Sequence, residues 1–157
     1  MEMKGIAMDL ILWRHAEAED GFPDEGRALT ERGAKQAELM AAWLKPRLPK
    51  EYRLISSPTK RTRQTARALN ADFPVSSALG PGASFASLLA ETGWPDAKGC
   101  VVVVGHQPTL GQVASLLLSG VENAWSVKKG AIWWFSNRTR RDETQIVLRA
   151  VIAPDLL

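Results

Sequence analysis

The sequence predicts an α/β fold, a three-layer α/β/α sandwich around a mostly parallel central sheet, with an antiparallel hairpin at the C-terminal end. Three observations carry this expectation. Strand-like and helix-like stretches alternate along most of the chain, the order that builds βαβ units. The apolar runs Leu10-Ile11-Leu12-Trp13 and Cys100-Val101-Val102-Val103-Val104 do not alternate with polar residues, which is the pattern of strands buried on both faces. Finally, two β-rich segments, 131–135 and 144–152, flank a polar stretch at 136–143, as in a hairpin.

Taken in order, residues 1–7 read as a loose extension and 8–157 as a single domain whose first strand begins near Met8. The charged, glycine-containing stretch 18–27, with Pro23, reads as a loop. Thr30 has the side chain of a helix N-cap, and Ala37, Met40, Ala41 and Leu44 then mark one apolar helix face, closed off by Pro46 and Pro49. Residues 52–56 suggest a short second strand. Ser57-Pro58 reads as a cap and first helical position for a helix carrying Arg61, Arg63 and Arg67. Residues 74–75 suggest a further short strand, 80–82 a turn, and 84–91 a helix stopped by Gly93 and Pro95. After the Cys100–Val104 run, Pro108 opens a helix that Gly120 ends.

Composition narrows the possible functions. At 157 residues, 45% hydrophobic and 24% charged, the chain suits one soluble domain. Its formal net charge of +3 fits a pocket for an anion better than an extended nucleic-acid surface. Cys100 is the only cysteine, so no internal disulfide forms. The apolar run near the start is too short for a membrane span and contains Asp9, and nothing resembles a signal peptide, so a cytoplasmic protein without membrane or nucleic-acid partners is expected. Neither metal-ligand spacing nor a glycine-rich nucleotide loop occurs, and no metal or cofactor is expected.

The chemistry gathers at predicted strand ends. Arg14 and His15 close the first strand, and His106, the only other histidine, follows the valine run. In open α/β sheets ligands bind at the carboxyl edge of the strands. The predicted topology brings Arg61, at the start of its helix, and Arg27, on the long loop, to the same edge. Two imidazoles and three guanidiniums suit a dianionic phosphoryl group, because planar guanidiniums match phosphate oxygens. A histidine among arginines is kept neutral and is then a nucleophile, and the arginines would hold the charge that spreads over the oxygens during transfer.

These residues stand in segments that resemble the histidine phosphatase superfamily, which includes the phosphoglycerate mutases, and most of all its short SixA-type phosphohistidine phosphatases. The segments are LWRHA at 12–16, DEGRALTERG at 24–33, SSPTKRTRQTA at 56–66 and GHQP at 105–108. The resemblance implies a phosphoglycerate mutase-like fold and a metal-independent phosphatase acting on phosphohistidine, on a protein such as a phosphorelay domain. It also implies roles: His15 as the nucleophile, Arg14 and Arg61 as phosphate-binding arginines, His106 as the second phosphate-binding histidine, and Arg27 as an arginine reaching the pocket from its loop. Two departures stand out. Ala16 replaces the usual glycine, and the insert that supplies a carboxylic acid in mutase-like members is nearly absent, leaving Glu91, Glu17 and Glu19 as candidates.

Two other readings compete with this one: the same chemistry on a small phosphate ester, and a phosphate- or phosphoprotein-binding module without turnover. The sequence leaves oligomeric state open. Outside the site, Arg63 and Arg67 read as solvated helix residues and Arg138, Arg140 and Arg141 as a basic cluster on the hairpin turn. Trp43, Trp94, Trp133, Trp134 and Phe135 read as packing residues, and Cys100 as a buried small apolar side chain.

Overall fold

The computed structural model describes residues 6–157. Five strands form one sheet in the order β2-β3-β1-β4-β5: β1 Ile6–Arg14, β2 Arg53–Ser56, β3 Gly99–Gly105, β4 Ile132–Arg140 and β5 Glu143–Ile152. β1, β3 and β2 run parallel, while β4 is antiparallel to β1 and β5 to β4, so the sheet is mixed. Four helices connect these strands: α1 Glu31–Leu44, α2 Lys60–Arg67, α3 Phe85–Thr92 and α4 Thr109–Ser119.

The unalternating apolar runs are apolar because both faces of the inner strands are covered. Met8, Leu10 and Leu12 of β1 and Val101 and Val103 of β3 pack with Leu88 of α3 and Leu110, Val113 and Leu117 of α4. Ile11 and Trp13, with Val102 and Val104, face the other way, onto Met40, Ala41 and Leu44 of α1 and Ala66 of α2. This is the period of two along a strand feeding two separate cores.

Local signals set most of the boundaries. Thr30 caps α1 by accepting a hydrogen bond from the Gly33 amide, and the buried positions Ala37, Met40, Ala41 and Leu44 are the ones that the spacing predicts. Ser84 caps α3 in the same way, and Gly93 and Gly120 end α3 and α4 in the left-handed conformation that glycine adopts without strain. Residues 74–75 contribute a single parallel bridge, Ser56 to Val75, rather than a strand.

Several boundaries differ from expectation. Residues 1–5 of the expected extension lie outside the described residues, but Ile6 and Ala7 are already in β1, opposite Thr139 and Arg138. α2 is capped by Thr59, not Ser57, two residues later than the Ser-Pro signal suggests, because Ser57 is still tied to the sheet through its amide and the Val104 carbonyl, 3.0 Å. The hairpin turn is only Arg141-Asp142, both at positive φ. Most of the polar stretch is strand: Ser136 donates to Asp9 at 2.7 Å and Asn137 donates through Nδ2 to the Pro95 carbonyl at 3.0 Å, while the buried Asn137 Oδ1 has no partner among the described residues. Arg138 and Arg140 therefore lie on β4 and only Arg141 in the turn.

Trp134 and Phe135 are buried and Trp133 half-buried, each in the packing role expected. Cys100 is buried too, and burial pushes its thiol up to about 12, so it carries no thiolate at neutral pH. Among the described residues, no helix is long and apolar enough to cross a membrane.

Candidate active site

The parallel pairing of β1 with β3 sets Arg14 opposite Gly105. Each histidine is the residue after that last pair, so His15 and His106 leave neighbouring strands at the same edge. The pairing continues one step further, with the His15 amide donating to the Gly105 carbonyl at 3.2 Å, and the Gly130 amide holds the His15 carbonyl from the other side at 3.0 Å. The two rings end 5.4 Å apart between centroids, tilted by 55°, and only 7% and 4% of each residue is exposed.

The state of His15 follows from its contacts. Its Nδ1 lies 2.8 Å from the Ala16 carbonyl oxygen. A carbonyl can only accept, so Nδ1 carries the proton and, in the neutral ring, Nε2 carries the lone pair. Burial lowers the pKa of His15 to about 4; the Arg61, Arg14 and Arg27 charges add to this, against the hydrogen bond to Ala16. His106 is pushed to about 3, first by burial and then by Arg61. Both rings are neutral at pH 7. His106 Nε2 shares a 2.8 Å hydrogen bond with Ser57 Oγ.

The arginines arrive from three elements. Arg14, at the end of β1, donates through Nη1 to the Val127 carbonyl at 2.8 Å, and burial lowers its pKa. Arg61 lies in the first turn of α2 and is 4% exposed. Its Nη1 donates to the Asp24 carbonyl at 2.8 Å and its Nη2 to Asp24 Oδ2 at 3.0 Å. Arg27 donates through Nη1 to the other carboxylate oxygen of Asp24 at 3.1 Å and through Nε to the Glu19 carbonyl at 2.7 Å. α2 is tied to the residue after His15 by Thr65, whose Oγ1 accepts from the Ala16 amide at 3.1 Å and donates to the Arg61 carbonyl at 2.8 Å.

Among the described residues, three buried side-chain nitrogen or oxygen atoms lack a hydrogen-bond partner, and two of them are Arg14 Nε and Arg61 Nε. An unmet buried donor costs on the order of 1–3 kcal/mol, more for a charged group. Two such donors in one cluster of cations are what an oxyanion's oxygens would satisfy.

The structure thus brings together Arg14, His15, Arg61 and His106, with Arg27 at the edge, linked to Arg61 by Asp24. It does not bring the side chains of Glu91, Glu17 or Glu19 into contact with Arg14, Arg27, Arg61 or either histidine. Glu17 accepts from Thr30 Oγ1 at 2.8 Å and faces Arg32 at 3.8 Å, Glu91 is exposed on α3, and Glu19 contributes only its carbonyl. Two site residues were missed in the sequence. Ser57 looks like a cap and is instead the partner of His106. Asp24 sits in a loop with no periodicity, and its signals are its position three residues before Arg27 and its place at the head of the DEGRALTERG segment. No group of three or more His, Cys, Asp or Glu side chains that could hold a metal occurs among the described residues.

Residues 10–81 match the model of the histidine phosphatase superfamily, branch 1. An uncharacterised protein of Mycobacterium tuberculosis is 34% identical over 110 residues, 68% of this chain and 70% of that one. Among solved structures, a protein of Nakamurella multipartitia assigned as a phosphohistidine phosphatase SixA is 27% identical with a TM-score of 0.77, over 97% of this chain and 99% of that one. A SixA protein histidine phosphatase complexed with tungstate is 26% identical with a TM-score of 0.71, over 95% and 99%.

Proposed function

The chain belongs to the histidine phosphatase superfamily, branch 1, and from that premise we propose that it is a phosphohistidine phosphatase, taking the phosphoryl group from a phosphohistidine on a protein onto His15 and then hydrolysing it. One observation carries this reading: the neutral His15 ring offers an Nε2 lone pair in a cluster where Arg14 and Arg61 each hold a buried, unpartnered N–H. The similarity to a SixA protein histidine phosphatase that binds tungstate, a tetrahedral oxyanion, supports both the substrate class and the oxyanion site.

The steps follow from these contacts. A bond forms between His15 Nε2 and phosphorus as the substrate's N–P bond breaks. A substrate ring protonated on its other nitrogen leaves as neutral imidazole, so no enzyme carboxylic acid is needed at this step. The arginine N–H groups hold the phosphoryl oxygens while charge spreads over them, and His106, held by Ser57, lines the same place. Water then attacks phosphorus, the Nε2–P bond breaks, and the water's proton is lost as inorganic phosphate forms. His15 leaves as the Nδ1–H tautomer, because the Ala16 carbonyl has kept that proton in place throughout.

The test combines turnover with trapping. A panel of phosphohistidine protein, free phosphohistidine and small phosphate esters, with and without chelator, should show fastest turnover of the protein substrate, unaffected by chelation. Rapid acid-free quenching with labelled substrate should trap an acid-labile, base-stable adduct on His15, absent from His15→Ala. Preference for a small ester would replace the substrate, an adduct on His106 would replace the nucleophile, and oxyanion binding without turnover of any substrate would leave a binding module.

A further inference from the structure

We propose that Asp24 is a positioning residue of this site, a carboxylate that joins Arg61 and Arg27 into one rigid arm around the phosphoryl group. The proposal rests on the phosphatase reading for its consequence in turnover, and on geometry alone for its consequence in oxyanion binding.

Asp24 gives three contacts in two directions. Its carbonyl and Oδ2 take Nη1 and Nη2 of Arg61 at 2.8 and 3.0 Å, and its Oδ1 takes Nη1 of Arg27 at 3.1 Å. The Arg61 guanidinium is therefore gripped at both of its terminal nitrogens, which fixes the plane of the group and leaves Nε as the unpartnered donor. A five-donor fork has one plane, so fixing two nitrogens fixes the third. Arg27 itself comes from the loop after β1, and among the described residues its hydrogen-bond anchors are the Glu19 carbonyl and Asp24. Asp24 belongs to a short 3-10 turn, Asp24–Gly26, whose first residue thus serves both arginines.

Charge favours the same role over that of a proton donor. Hydrogen bonds from Arg27 and then Arg61 hold the Asp24 carboxyl below the usual carboxylate range, so it is ionised at neutral pH. The groups that face it are those two guanidiniums, with His106 near enough to feel its charge. With Arg14, Arg27 and Arg61 positive, Asp24 negative and both imidazoles neutral, the cluster keeps two net positive charges, the complement of a phosphoryl dianion.

The rival role is obstruction. A carboxylate gripping an arginine fork also resembles a bound anion, and a phosphoryl group could have to expel it. The two roles predict opposite signs for Asp24→Asn, which keeps the shape, loses the charge and leaves only one good acceptor. Asp24 is half-exposed, so the variant should fold, and circular dichroism checks this. Calorimetric titration with inorganic phosphate reads binding without any turnover. Steady-state hydrolysis of para-nitrophenyl phosphate and of phosphohistidine reads kcat and KM separately.

The positioning role predicts severalfold weaker phosphate binding and a fall in kcat/KM on the order of 10- to 100-fold, the scale of a misplaced contact. In an Arg27→Ala background the same Asp24→Asn change should cost clearly less, because one of its two arms is already gone. Unchanged or tighter phosphate binding by Asp24→Asn, or an equal cost in both backgrounds, would overturn the proposal. If the wild-type protein binds phosphate but turns over no substrate, the catalytic reading fails while the binding arm still decides the role of Asp24.

Discussion

At the scale of the residue, the two histidines carry the sharpest expectation. Their folded pKa values, about 4 and about 3, lie below the ordinary value near 6.5. The unfolded chain therefore binds protons that the folded chain refuses. Stability from these rings is complete above about pH 6.5 and is lost progressively as pH falls through 4 towards 3, by several kcal/mol in order of magnitude. The chain has only two histidines, so proton NMR of the ligand-free protein should show two imidazole titrations, both with midpoints well below 6. A midpoint near 6.5 for either ring would contradict the burial and the neighbouring cations that set it. Added phosphate should raise both, since a bound anion favours the protonated ring. The residues themselves were legible: two histidines at strand ends and arginines at helix and loop positions needed no coordinates. Their partners were not. Ser57 and Asp24 act through contacts across 49 and 37 residues, and no local pattern encodes such a separation.

At the scale of the element, the start of α1 is fitted to the strand end that carries His15. A Cβ on Gly33 would lie 1.9 Å from the Glu17 carbonyl oxygen, a backbone atom. Alanine is a better helix former than glycine by about 1 kcal/mol, yet overpacking against an atom that cannot swing away costs about 1–3 kcal/mol or more. Gly33→Ala should therefore lower the midpoint of urea unfolding despite its better propensity. It should also depress turnover, because relief requires moving the backbone two residues from His15. A stabilised, fully active variant would show that the approach is looser than it stands. Element type was readable wherever periodicity or a cap existed, as at Thr30 and Ser84. It failed where two cap-type residues lay close together, Ser57 and Thr59, and in β4, where the buried side chains of Ser136 and Asn137 donate to Asp9 and to the Pro95 carbonyl, far away in the sequence.

At the scale of the whole molecule, charge is unevenly placed. A groove of about 580 Å³ opens beside the residues that follow His15, lined by Arg32, Lys35, Lys128 and Lys129 with Glu17 and Asp155 among them. Lys129 on its wall is the chain neighbour of Gly130, whose amide holds the His15 carbonyl. An acidic protein substrate should feel this field, and a small substrate much less. Raising ionic strength from about 0.05 to 0.5 M, which shortens the screening length severalfold, should lower kcat/KM for an acidic phosphoprotein more than for free phosphohistidine. An equal fall for both would place the salt dependence in the phosphoryl pocket itself. The register of β1 on β3 has a consequence for how such a chain can change over time. The histidines depend on where two strands stop, not on the 90 or so residues between them. Connections can lengthen or shorten while the rings stay paired, but one residue inserted within either strand would turn its ring to the opposite face. Insertions and deletions are thus channelled into the loops that border the site, where a new substrate can be chosen without disturbing the chemistry.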